Sequence, residues 1–118
     1  MSIQVYWHKR DFATQKAERF LKERRVGYQS VDLKKHRLGR REAELILRAA
    51  GSLRDAIDME REAVKSHPIV YTTDQERMLD YLMDTPQFLV CPILRDGQKV
   101  VVGFDEAEMN RWLAAAQK

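Results

Sequence analysis

Two short apolar strands separated by one capped helix open this chain, and that order leaves few ways to fold it. Ile3-Gln4-Val5-Tyr6-Trp7 is β-branched, aromatic and roughly alternating, which reads as a strand. His8-Lys9-Arg10 is a polar break. Asp11 stands where an N-cap should, since its carboxylate can accept the unpaired amide N–H groups of a first helical turn. From Phe12 to Arg25 the apolar set Ala13, Ala17, Phe20 and Leu21 recurs at helical spacing, and Gly27 breaks the helix. Tyr28 to Leu33 is a second strand. Strand, helix, strand at these distances is a βαβ unit, whose strands must be parallel and whose crossover is right-handed.

The second half continues differently. A helix is predicted over Arg40–Ala50, with Ala43, Ile46, Leu47 and Ala50 on one face and Gly51 as its stop. Ser52 to Lys65 reads as short helical pieces with no single strong face. Asp74 begins another helix, with Met78, Leu79 and Leu82 inward, and Thr85-Pro86 ends it. Two apolar runs, Val90 to Leu94 and Val100 to Val102, flank an Asp96-Gly97 turn and predict an antiparallel hairpin. Asp105 caps a last helix with Trp112 and Leu113 inward. The expected fold class is α/β: one domain spanning residues 1–118, with a four-stranded mixed sheet (β-α-β, helical insertion, β-β-α) and helices on both faces. Ile3–Trp7, Tyr28–Asp32, Ile93–Arg95 and Lys99–Val102 are its strands.

Composition narrows the function classes. A chain of 118 residues supports one core. Its single cysteine forbids an internal disulfide and a Cys-based zinc finger, and makes a cytoplasmic setting the expectation. No apolar run approaches the about 20 residues of a membrane span. The start of the chain has no secretory-signal pattern. Residues 1–41 carry 12 Lys and Arg against 4 Asp and Glu, a balance of +8, while residues 42–118 carry 9 against 14, a balance of −5. Lys9-Arg10, Lys34-Lys35 and Arg40-Arg41 are expected to share one end of the fold, a basic face suited to an acidic protein surface; the plainer reading is a set of solvated helix faces. The basic residues lack interleaved aromatics, so direct nucleic-acid binding is not expected.

The run from Val5 through Trp7, Asp11 and Thr14 to Ala17 resembles the opening of the thioredoxin-fold arsenate reductases and the related regulator Spx. Thr85-Pro86-Gln87-Phe88-Leu89-Val90-Cys91-Pro92-Ile93 resembles the family's apolar approach to a proline, and Val102-Gly103-Phe104-Asp105 its Val-Gly turn before the last helix. The resemblance implies a thioredoxin-like fold and a cis bond before Pro92. It also implies what this chain lacks. The family's helix-start cysteine falls on Asp11, and the second cysteine of Spx and glutaredoxin-like relatives falls on Thr14. Its arginine before the proline falls on Cys91, and its arginine after the Val-Gly turn on Phe104. A further arginine falls near Asp58, with Arg54 and Arg61 close by.

The expected function is therefore a non-catalytic, arsenate-reductase-like or Spx-like binding or regulatory module without a cofactor. Its partner is a protein, and the resemblance to Spx implies the transcription machinery. Asp11 is expected to be an N-cap; a carboxylate cannot form a thiol–arsenic bond. Lys9, Arg10, Cys91, Pro92 and Phe104 are the candidate binding residues. The rival is a thiol redox protein using Cys91 with glutathione or a thioredoxin partner, against the plainer reading of a buried, inert cysteine. Arsenate reduction ranks last. His8, His36 and His67 are too dispersed in sequence to suggest a metal site.

Overall fold

The computed structural model describes residues 3–116. Strands β1 (Ile3–Trp7), β2 (Tyr28–Asp32), β3 (Ile93–Asp96) and β4 (Lys99–Val102) form one mixed sheet in the order β2-β1-β3-β4. β1 and β2 are parallel, Val5 facing Ser30, and β3 runs antiparallel to both β1 and β4. This is the mixed sheet that the element order predicts.

Among the described residues six helices surround it: α1 (Phe12–Glu23), α2 (Arg40–Ala50), α3 (Leu53–Ala56), α4 (Glu62–Lys65), α5 (Gln75–Asp84) and α6 (Glu106–Ala116). Two 3-10 turns, Pro68–Tyr71 and Pro86–Phe88, flank α5. No helix among the described residues is long and apolar enough to cross a membrane.

Alternation along the strands divides the core in two. Ile3, Val5 and Leu94 face Ala17, Phe20 and Leu21 of α1 and Met109 and Trp112 of α6. Tyr6, Val31 and Ile93 face the opposite way, onto Ala43 and Ile46 of α2 and Leu79 and Leu82 of α5. The insertion is tied by backbone contacts to the segment that leads into β3: Ile57 pairs with Leu89, the Asp58 N–H donates to the Phe88 carbonyl at 2.9 Å, and the Val90 N–H to the Ala56 carbonyl at 2.9 Å.

Two local expectations need correction. The first helix stops at Glu23, before Gly27, because Arg25 enters the left-handed region at φ 56° and lets the Val26 N–H close onto the Leu21 carbonyl at 2.9 Å. The hairpin turn is Gly97-Gln98, not Asp96-Gly97: Asp96 pairs with Lys99, and glycine in first place supplies the positive φ of 62°. The third strand starts at Ile93 as expected, since Pro92 has no N–H to give a ladder, and it runs one residue further than expected, to Asp96.

Candidate functional site

The site lies where β1 runs out and α1 begins. The Asp11 Oδ1 accepts the Thr14 N–H at 2.9 Å, so Asp11 is the helix cap. Thr14 is fully buried, its hydroxyl 3.5 Å from the Lys9 carbonyl. Across from this turn passes the segment Leu89–Pro92. The Cys91-Pro92 bond is cis, and the Pro92 carbonyl accepts the Gly103 N–H at 2.8 Å.

His8 joins the two segments, 83 residues apart in sequence. Its backbone N–H points at the Cys91 Sγ, 3.4 Å away, and its Nε2 lies 3.1 Å from the Leu89 carbonyl. A carbonyl can only accept, so Nε2 carries the proton. Burial lowers the His8 pKa, as do the positive charges of Arg61 and Lys9, against the raising effects of the Leu89 carbonyl and of Asp11. His8 is a neutral, buried imidazole, 7% exposed.

Cys91 is buried too, and burial raises its thiol pKa. The Asp11 carboxylate pushes the same way. The backbone amides of His8 and Lys9 and the Lys9 charge oppose them without prevailing. The sulfur is thus a thiol at neutral pH, in an environment opposite to that which activates a nucleophilic cysteine.

The remaining candidates scatter. Arg10 is drawn away from Cys91: its guanidinium lies 5.0 Å from the Trp7 ring centroid and 3.5 Å from the Glu18 carboxylate. Phe104 packs edge-on against Phe20 at 5.5 Å, with the Lys16 ammonium 5.9 Å from its ring, and closes the core between α1 and α6. Lys9 is exposed. The structure brings together Asp11, Thr14, Cys91, Pro92 and His8, and it adds Arg61. That guanidinium donates to the Gln87 carbonyl, sits 6.0 Å from the Phe88 ring centroid and acts on His8. No spacing in the sequence singles out Arg61 over Arg54, because the short helices around them carry no clear periodicity.

His36 and His67 serve elsewhere. His36 contacts Glu42 at 3.3 Å, and His67 accepts the Ile69 N–H and packs edge-on against Tyr81 and Phe88.

The expected basic face is altered as well. Arg40 pairs with Glu76 at 2.5 Å and Glu44 at 3.2 Å, and Arg41 with Glu44 at 3.7 Å. Those two charges are offset within the molecule.

Several solved structures share this fold. The protein YffB superimposes with a TM-score of 0.78 at 18% identity, over 92% of this chain and 96% of its own. An ArsC-family-related protein from Bacteroides fragilis gives 0.78 at 17%, over 94% and 97%. An arsenate reductase (ArsC) related protein from Brucella melitensis gives 0.66 at 20%, over 96% and 95%. The chain has the thioredoxin-like fold of the arsenate-reductase-related proteins. No protein-family model matches it, and no curated protein matches its sequence. Against that fold, the start of α1 holds a capping carboxylate, and the thiol sits on the opposing loop, buried against the His8 backbone.

Proposed function

We propose that this chain is an arsenate-reductase-related protein that works without thiol chemistry, as a cytoplasmic binding or regulatory module for another protein. Asp11 carries the reading. Its carboxylate is committed to the α1 cap, cannot make a sulfur–arsenic bond, and sets a negative charge where an oxyanion would have to approach. Arg10 does not compensate, since it is held by Glu18 and Trp7, and the Arg61 guanidinium donates to the Gln87 carbonyl. The resemblance to Spx makes transcription machinery the first partner to test. Purified protein supplied with arsenate, glutathione and glutaredoxin should turn over no faster than a protein-free control, and Asp11→Cys alone should not restore reduction. Turnover by the unmodified protein would overturn the reading.

One observation favours the redox alternative: the His8 and Lys9 amides are directed at the Cys91 sulfur and would stabilise a thiolate. Burial and Asp11 outweigh them, so native Cys91 should alkylate with iodoacetamide far more slowly than the denatured chain at neutral pH. Asp11→Asn should speed the native reaction. A native rate equal to the unfolded one would move the glutathione-linked or thioredoxin-linked reading ahead.

A further inference from the structure

The loop between β2 and α2 presents cations on a rigid support. Asp32 builds its first turn: its Oδ1 accepts the Lys34 N–H at 2.9 Å, and its backbone carbonyl accepts the N–H groups of Lys35 at 3.0 Å and His36 at 2.8 Å. Leu33 and Leu38, each 2% exposed, anchor the two ends in the core. His36 is exposed as well but is engaged by Glu42, whose other oxygen accepts the Gly39 N–H at 2.9 Å. Lys34, Lys35 and Arg37 remain exposed, and none of them makes an ion pair among the described residues. This contrasts with Arg10, Arg40 and Arg41, whose charges are met by glutamates.

These three cations line one wall of a cleft of about 190 Å³, and Met83, Asp84 and Pro86 line the other. The Leu33 N–H donates to the Trp7 carbonyl at 2.7 Å, which ties this end of the cleft to the end of β1. A cleft this small is below the roughly 300 Å³ of an ordinary small-molecule pocket. It has room for side chains of a passing segment.

From this arrangement we infer that the cleft is the docking site for an acidic segment of the protein partner, with Asp or Glu side chains meeting Lys34, Lys35 and Arg37. The inference rests on the module reading above and names its partner's chemistry. Charge complementarity selects an anion, and the prebuilt loop lowers the ordering cost of binding it. Asp84 selects a peptide over a nucleic acid. A phosphodiester chain brings a charge at every unit and would press one against Asp84, whereas a peptide can space its carboxylates around that position. Met83 and Pro86 offer apolar contact to the intervening side chains, and no Phe, Tyr or Trp lines the cleft to stack a base.

The test is fluorescence anisotropy at low salt with a labelled peptide of alternating Glu and Ser. The combined K34E, K35E and R37E substitutions should weaken binding by at least about tenfold. Reversing three other exposed cations, by R19E, K22E and R48E, should change it by less than about twofold. Equal losses in both variants would reduce the effect to net charge and overturn the inference, as would undetectable binding or tighter binding of single-stranded DNA of matched charge. Amide chemical shifts of the unmodified protein, titrated with the same peptide, give a second readout free of folding defects. They should move at Lys34–Leu38 and Asp84–Gln87, and movement elsewhere alone would sink the assignment. A chain that reduces arsenate fails the module reading; one that is inert but binds its partner elsewhere fails only this inference.

Discussion

Glu42 and Glu18 sit on opposite faces of the same sheet, and each binds a tyrosine. Glu42 accepts the Tyr6 hydroxyl at 2.6 Å, the Gly39 N–H at 2.9 Å and the His36 ring at 3.3 Å, and lies 3.7 Å from the Arg95 guanidinium. Burial raises its pKa, yet these donors outweigh that cost and the net shift is downward. Glu18 is more buried, its side chain 6% exposed against 19% for Glu42, and has fewer partners. It accepts the Tyr28 hydroxyl at 2.8 Å and faces Arg10 at 3.5 Å, while its Oε1 has no hydrogen-bond partner among the described residues. A buried carboxylate repays its desolvation only when its oxygens are satisfied. Glu42 therefore works as a structural joint between α2, the Lys34–Arg37 loop and the sheet. Glu18 chiefly holds Arg10 in place beside the α1 start.

The largest effect should come from Glu42→Ala, which strips partners from Tyr6, Gly39, His36 and Arg95 together. We expect a loss of about 2 kcal/mol in urea unfolding. Glu18→Leu removes a poorly satisfied charge and leaves the part-exposed Tyr28 hydroxyl to water, so its cost should stay below about 1 kcal/mol. A larger loss from Glu18→Leu than from Glu42→Ala would break the contrast.

Titration sharpens it further. Tyr6 and Tyr28 are both pushed up to about 12, by burial first and then by Glu42 and Glu18 respectively. Glu42→Ala should lower only the Tyr6 transition and Glu18→Leu only that of Tyr28, with burial still holding each above the ordinary tyrosine value, read from phenolate absorbance. A folded-state pKa above the unfolded one means that this stability is present below pH 10 and is lost as pH rises toward 12. Glu42 acts at the other limb. Its depressed pKa contributes stability above the ordinary carboxylate range that is lost as pH falls through the folded value. The smallest expected effect is the disappearance of that acid-limb slope in Glu42→Ala, measured by urea unfolding at stepped acid pH.

Much of the fold is legible along the chain because strands and helices here follow their own periodicities. β1 and α2 coincide with their predicted ranges, and the Asp11 cap forms as read. The helical stripe of α1 hid something, however. Thr14 and Glu18 occupy core positions, and polar residues on an apolar face give no periodic signal. The Asp11 cap is legible locally, whereas the contact of His8 with Cys91 is not. Nothing local in His8-Lys9-Arg10 indicates that its first amide meets a sulfur 83 residues away, or that Arg61 comes near.

The order of elements, and a carboxylate rather than a thiol at the start of α1, were set by the sequence alone, because propensity, capping and covalent identity are local properties. Which charges remain free, and whether Cys91 is a thiol or a thiolate, were decided only by the tertiary structure. Desolvation and Coulomb interaction depend on distances between residues far apart in the chain. Arg40 is neutralised by a glutamate 36 positions away while Lys35 is left open, and no reading of their near-identical basic neighbourhoods separates the two.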